Sequence, residues 1–147
     1  MSDPQQPSGA LSFPDTRYFA PWRLMTWRPR GTLDDNLLDR VMDFAELEER
    51  SIEGPFNRFA DFSVLTEIRL KIGHVFKIAE HRRAALAGHE PVKTAIYAPS
   101  IVGFGMARMY EHLLEGSPIK VRPFRELAAA AEWLGVPEAI LRADPPA

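Results

Sequence analysis

Ser100-Ile-Val-Gly103-Phe-Gly105-Met-Ala-Arg108 is the stretch of this chain whose residue types could best hold a ligand. It follows an apolar extended segment and opens a helix. Such a turn presents free backbone N–H groups at a helix N-terminus, where the helix dipole favours an anion. Ser100 is a natural cap. Gly103 and Gly105 would let a ligand approach the backbone, and Arg108 adds a cation. The G-x-G pattern lacks the third glycine of the dinucleotide fingerprint, and there is no G-K-[ST] phosphate loop. The alternative is packing, because two glycines also let a helix lie close against a sheet or another helix.

Asp61 is the acid to watch, since strand interiors disfavour aspartate. In a cleft at the carboxyl ends of parallel strands it could bind a ligand. It could equally cap a turn through backbone hydrogen bonds. The acids between residues 34 and 49 read as a solvated helix face. His74 and His81 share a helix face but stand about 10.5 Å apart along its axis, too far for one metal ion. Lys77 lies between them, and the pair reads as a solvated face. The chain has no cysteine, which excludes disulfides, thiol catalysis and thiolate metal sites. The sequence calls for no cofactor, and it contains no recognisable catalytic set. An enzyme would need Asp61 or a histidine in a cleft with a strongly perturbed pKa.

Composition bounds the rest. The 147 residues fit one domain with a proper core. A formal net charge of −2 supplies no strong positive field for phosphates, which argues against nucleic acid. No run approaches the ~20 apolar residues of a membrane span, so no membrane insertion is expected. The first ten residues lack the basic start and apolar run of a secretory signal. The cytoplasm is the expected location. Residues 1–16, rich in Pro, Ser, Gln and Gly, read as a flexible arm whose Leu11 and Phe13 could dock on the domain or on a second copy. Residues 17–147 form the single domain.

The elements that must position these residues follow from the hydrophobic period. Residues 17–28 are extended, with Pro21 and Pro29 marking an edge or a broken pair. Thr32 is the expected cap of a helix over 33–49, with Asp34 and Asp35 at its positive end. Asn57 to Phe62 is a short strand, and 63–70 is ambiguous between a loop wall and a helical turn. A helix over 71–87 turns Ile72, Val75, Phe76, Ala79 and Leu86 inward. From residue 92 the chain reads strand, helix, strand, helix: Val92–Ala98, 101–115, then 119–124 with Pro123 at an edge or strand end, then 125–135. Strands alternating with helices of this length imply a mainly parallel sheet of four or five strands. Trp22 and Trp27, beside the broken strand, could line a pocket or a dimer interface.

Val92-Lys-Thr-Ala-Ile-Tyr-Ala98, Phe104-Gly105-Met-Ala-Arg108-Met109-Tyr110-Glu111, Phe124-Arg-Glu-Leu and Ala131-Glu-Trp133-Leu134-Gly135 together resemble the SpoIIAA-like proteins of the STAS superfamily. The resemblance is good over 92–135 and looser over 31–87. It implies a superhelix of β-α units with helices largely on one face. It also implies a stand-alone bacterial module that is mainly non-enzymatic: a regulatory or protein-interaction domain, with some of the wider group thought to bind nucleotides or apolar ligands. One departure stands out. Anti-sigma antagonists carry a phosphorylatable Asp-Ser pair after a central strand, and here Arg69-Leu70 occupies that place, which argues against a kinase-controlled switch.

Two functions follow as expectations. The first is a cytoplasmic regulatory or interaction module, homodimeric, with a regulatory protein partner. The second is a carrier or sensor of a small apolar or anionic ligand, held near Ser100, Gly103, Gly105, Arg108 and Asp61. An enclosed apolar cavity favours the carrier, and an exposed apolar patch favours a partner surface.

Overall fold

Pro21 divides the first extended stretch in two. In the computed structural model, which describes residues 12–142, β1 (Thr16–Phe19) and β2 (Leu24–Trp27) pair antiparallel around a single 3-10 turn at Ala20–Trp22. Arg23 leaves that turn with φ +47, an uncommon value for a side chain. Its guanidinium clamps the conformation by donating to the carbonyls of Pro55 (2.8 Å) and Glu53 (2.5 Å).

β4 (Asn57–Asp61), β6 (Val92–Tyr97) and β7 (Ile119–Phe124) then add in parallel, giving the order β1-β2-β4-β6-β7. Pro123 opposes Ile96 on the edge strand, where its missing N–H costs no ladder bond on the open side. β3 (Gly31–Asp34) and β5 (Leu65–Arg69) form a separate two-stranded parallel sheet. That pairing settles the ambiguous 63–70 stretch as mostly strand. It also corrects the first helix start. Thr32 is inside β3, so Asp34 caps α1 (Asp35–Ser51) instead, accepting from the Leu37 N–H at 2.8 Å.

α2 (Ile72–Ala85) and α3 (Ile101–Leu113) follow their strands, and α4 (Leu127–Leu134) ends at Gly135 in the left-handed region. A short α5 (Glu138–Arg142) was not anticipated. Within α2 the expected inward set is only partly right. Val75, Ala79 and Leu86 are buried, but Ile72 and Phe76 are 59% and 47% exposed. Ile72 belongs to the first turn and Phe76 to the flank, so the inward stripe runs 75, 79, 82 and 86, with Arg82 in it.

Alternation along the strands splits the core in two. Met25, Ala60, Ile96 and Val121 meet α1, α2 and α3 on one face. Leu24, Phe59 and Ala95 meet α4 and α5 on the other. Three long helices cover one face and two short ones the other. Phe13, in the expected arm, is half-buried and stacks on Phe44 at 5.6 Å. The rest of that arm up to residue 11 lies outside the described residues.

Candidate functional site

Ser100 and Gly103 meet at the carboxyl end of β6. Ser100 caps α3 by accepting from the Gly103 N–H at 3.0 Å, while its carbonyl accepts from Phe104. Gly103 is buried, and a Cβ there would lie 3.0 Å from Ser100 Oγ and 3.5 Å from Ala98 and Ile68. Gly105 faces open space. Arg108 lies about 12 Å along the axis from Ser100, half exposed, with its Nε 3.7 Å from Glu111. Asp61 ends β4 on the opposite face, that of Phe59. Its Oδ1 caps the turn by accepting from the Ser63 N–H (2.8 Å), and its Oδ2 accepts from Arg28 Nε (2.9 Å). Ser100 and Gly103 thus come together, while Gly105, Arg108 and Asp61 stand apart from them.

A different place in the fold has the makings of a site. Between the sheet and α1, α2 and α3 lies an apolar chamber of about 120 Å³, walled by residues such as Trp27, Leu38, Val41, Ala60, Phe62 and Ile78. It is comparable to the ~150 Å³ apolar cavity that takes up benzene or xenon in another protein. None of the five sequence candidates lines it.

The chamber is apolar except at one end, where Arg58 of β4, Arg82 of α2 and Tyr110 of α3 reach its wall. Glu49, in the last turns of α1, binds both arginines. Its Oε1 accepts from Arg82 Nη1 (3.0 Å), and its Oε2 accepts from Arg82 Nη2 (2.5 Å) and from Arg58 Nη2. The Arg82 side chain is 3% exposed and that of Arg58 12%. Arg58 also lies over the Phe56 ring at 4.7 Å. Its Nε is buried with no hydrogen-bond partner among the described residues.

The electrostatics follow from this crowding. Burial alone would raise Glu49, but hydrogen bonds and charge from Arg82 and Arg58 outweigh it and hold the carboxyl below its usual range. Burial pulls Arg82 down, and the bonds to Glu49 more than restore it. Burial also pulls Arg58 down, and there Glu49 does not compensate. Burial pushes the Tyr110 phenol up, ahead of the opposing pull of Arg82 and Arg58. One carboxylate therefore serves two guanidiniums, and Arg58 is the less satisfied cation.

Two further pairs tie α1 to α2. His74 Nε2 lies 2.6 Å from Asp39 Oδ1, and His81 Nε2 lies 2.5 Å from Glu46 Oε1. The expected solvated acidic face of residues 34–49 is therefore corrected in part: Asp34 and Asp43 are exposed, but the others are engaged. Glu48 is 3% exposed, and Asp39, Glu46 and Glu49 form the seam against α2, because α2 packs beside α1 in parallel register. Among the described residues no three His, Asp or Glu side chains converge as a metal site.

The ionic end had a signal in the sequence. Arg82 continues the apolar spacing of Val75 and Ala79, Glu49 continues that of Leu38, Met42 and Ala45, and Arg58 alternates with Ala60 and Phe62. A charged residue on an apolar period must be buried or end its element.

A mainly parallel five-stranded sheet with its long helices on one face is the SpoIIAA-like α/β architecture. The crystal structure of an uncharacterized DUF3478-family protein with a SpoIIAA-like fold, from Shewanella loihica PV-4, superposes on this chain with a TM-score of 0.50. The match is 14% identical and covers 76% of this chain and 83% of that one, so the likeness is one of fold. No protein-family model and no curated protein matches the sequence. Among the described residues no helix is long and apolar enough to cross a membrane.

Proposed function

We propose that the protein is a non-enzymatic cytoplasmic carrier or sensor of a small apolar or anionic ligand, held under α1, α2 and α3 rather than at the carboxyl ends of the strands. The observation that carries this reading is the apolar chamber, closed at one end by two arginines. Ligand pockets combine apolar walls with a few placed polar groups. A chemical step is not the better use of these groups. Glu49 is held below its ordinary pKa by two guanidiniums, which makes it a weak base near neutral pH.

A native mass spectrum of freshly purified protein tests the reading, together with a thermal melt in 1-hexanol. Extra mass that leaves on denaturation, or a melting point raised by hexanol, supports it. Bare-chain mass with no response to hexanol overturns it.

A second reading, a regulatory or protein-interaction module acting as a homodimer or on a regulatory protein, is favoured by one other observation. Ile101 and Val102 are 82% and 62% exposed at the start of α3, and Ile72 and Phe76 are exposed at the start of α2. Apolar surface of this kind marks partner sites. The same spectrum reports a dimer, and Ile101→Glu with Val102→Glu would dissociate it.

A further inference from the structure

Arg58 belongs to two cavities. On one side it lines the apolar chamber. On the other it lines an outer groove of about 320 Å³ at the amino ends of β4 and β6, together with Glu49, Ile52, Phe56, His89 and Glu90. The Arg58–Glu49 pair therefore stands between a more polar groove and an apolar chamber.

Three features of that boundary point to one ligand chemistry. Among the described residues Glu49 is the carboxylate that touches both Arg58 and Arg82, so one negative charge meets two positive ones there. Glu46 stands farther off, 3.8 Å from Arg82, and it already meets His81 at 2.5 Å. The Arg58 Nε–H is left without an acceptor in a place where an unmet donor on a charged group is costly. A guanidinium presents a fork that matches a carboxylate. The chamber beyond is apolar and about large enough for a six-carbon body.

We propose that the chamber takes a short-chain carboxylic acid as its anion, with the chain among Trp27, Val41 and Ile78 and the carboxylate on Arg58, reached from the outer groove. This rests on the chamber being the ligand site. Glu90, at the groove, and Glu49, beside Arg58, set the selectivity. They repel a free anion that brings no apolar chain, so the apolar body must supply part of the affinity. The carboxylate then competes with Glu49 for Arg58, leaving Glu49 to Arg82, which already holds it through two bonds.

Isothermal titration of the full chain with sodium hexanoate, 1-hexanol and hexylamine separates the possibilities. Hexanoate is expected to bind at least tenfold more tightly than hexanol, and hexylamine more weakly than either. Arg58→Gln should bring hexanoate below the hexanol level, because the carboxylate then faces Glu49 unpaired, and should weaken hexanol far less than hexanoate. Arg58→Lys keeps the charge and loses the fork, and it carries the test with a several-fold loss should Arg58→Gln not fold. Glu49→Gln removes the internal competitor. It should lower the melting temperature and raise hexanoate affinity, with hexanoate restoring the melt further than hexanol does. Equal binding of hexanoate and hexanol, or an Arg58 variant that weakens both alike, overturns the carboxylate assignment and leaves the chamber as a ligand site. No binding of any probe to the wild type overturns the chamber reading along with it.

Discussion

Along β4 the side chains of Phe59 and Asp61 point to one face of the sheet and those of Arg58 and Ala60 to the other, and the two faces are filled differently. On the α4–α5 face, Leu24, Phe59, Ala95 and Ala130 are each 0–2% exposed, and alanine on both strand and helix lets the layers close. Two cations of that face, Lys93 and Arg122, stay at its rim, and a third, Arg28, meets the buried Asp61. Lys93 donates to the Trp133 carbonyl at 2.7 Å, and both Lys93 and Arg122 lie over the Trp133 ring. On the α1–α3 face the layers leave a chamber, and the cations are inside. Rim cations over an aromatic ring keep much of their hydration and gain a modest attraction. Buried ones lose hydration that ion pairing does not always return. The proposed ligand site lies on the second face, where two cations are buried beside a void.

Truncation gives the largest test of that contrast. Leu24→Ala, on the closed face and clear of the chamber, should cost about 3–5 kcal/mol, because the packed alanines cannot collapse into the space. Ile78→Ala only enlarges an existing chamber and removes a half-buried side chain, so about 2 kcal/mol is expected. Urea denaturation of both variants measures the difference, and equal losses would erase the distinction between the faces.

Acid should act on the chambered face. The folded-state pKa of Glu49 is depressed by its two arginines. Its contribution is therefore complete above the ordinary glutamate value of about 4.3. It is lost as pH falls through that value toward the depressed one. Hydrogen bonds to charged groups suggest an effect of about 2 kcal/mol. Urea midpoints recorded from pH 6 downward should fall, and the Glu49→Gln variant should lack that part of the slope. A variant as acid-sensitive as the parent would show that other carboxylates carry the transition.

Added bulk reverses the sign between the faces. Ala130→Leu must overpack and should cost about 1–3 kcal/mol. Val41→Ile puts one methylene into the chamber and should stabilise by up to about 0.8 kcal/mol while weakening hexanol binding. A destabilising Val41→Ile would mean that the chamber walls do not yield space to a fixed side chain.

Much of this architecture is legible in the sequence, and its gaps have physical causes. The strand–helix alternation from Val92 to Gly135 is set by local period and by Gly and Pro punctuation, and the structure reproduces it. The 63–70 stretch was not legible, because β5 exists only through its pairing with β3 more than thirty residues away, a contact that leaves no local period. The same pairing moved the α1 cap from Thr32 to Asp34. The candidate site was read from glycines and a cap, signals that helix termini share with any ligand loop. The ionic end was missed because Glu49, Arg58 and Arg82 each look like surface charge alone. Their meaning comes from three elements converging, with only their place on apolar periods to betray it.

The two glycines of α3 give the smallest effect, and they separate the two sites at issue. Gly105 faces open space, so Gly105→Ala should raise stability by the helix-propensity gain of about 0.5–1 kcal/mol. Gly103→Ala gains the same propensity but pushes a methyl to 3.0 Å from the Ser100 hydroxyl that caps the helix. A cap is worth about 1 kcal/mol, so the gain should be cancelled or reversed. Paired thermal melts read the difference, and equal shifts would show that Ser100 yields freely. Gly105→Val then asks where the ligand sits. It places a branched side chain in the second turn of α3 without entering the chamber. Unchanged hexanol binding keeps the ligand under the helices, because nothing in the chamber has moved. Lost binding in a folded Gly105→Val variant would return the site to the outer surface of α3, since only a ligand lying there would meet the new side chain.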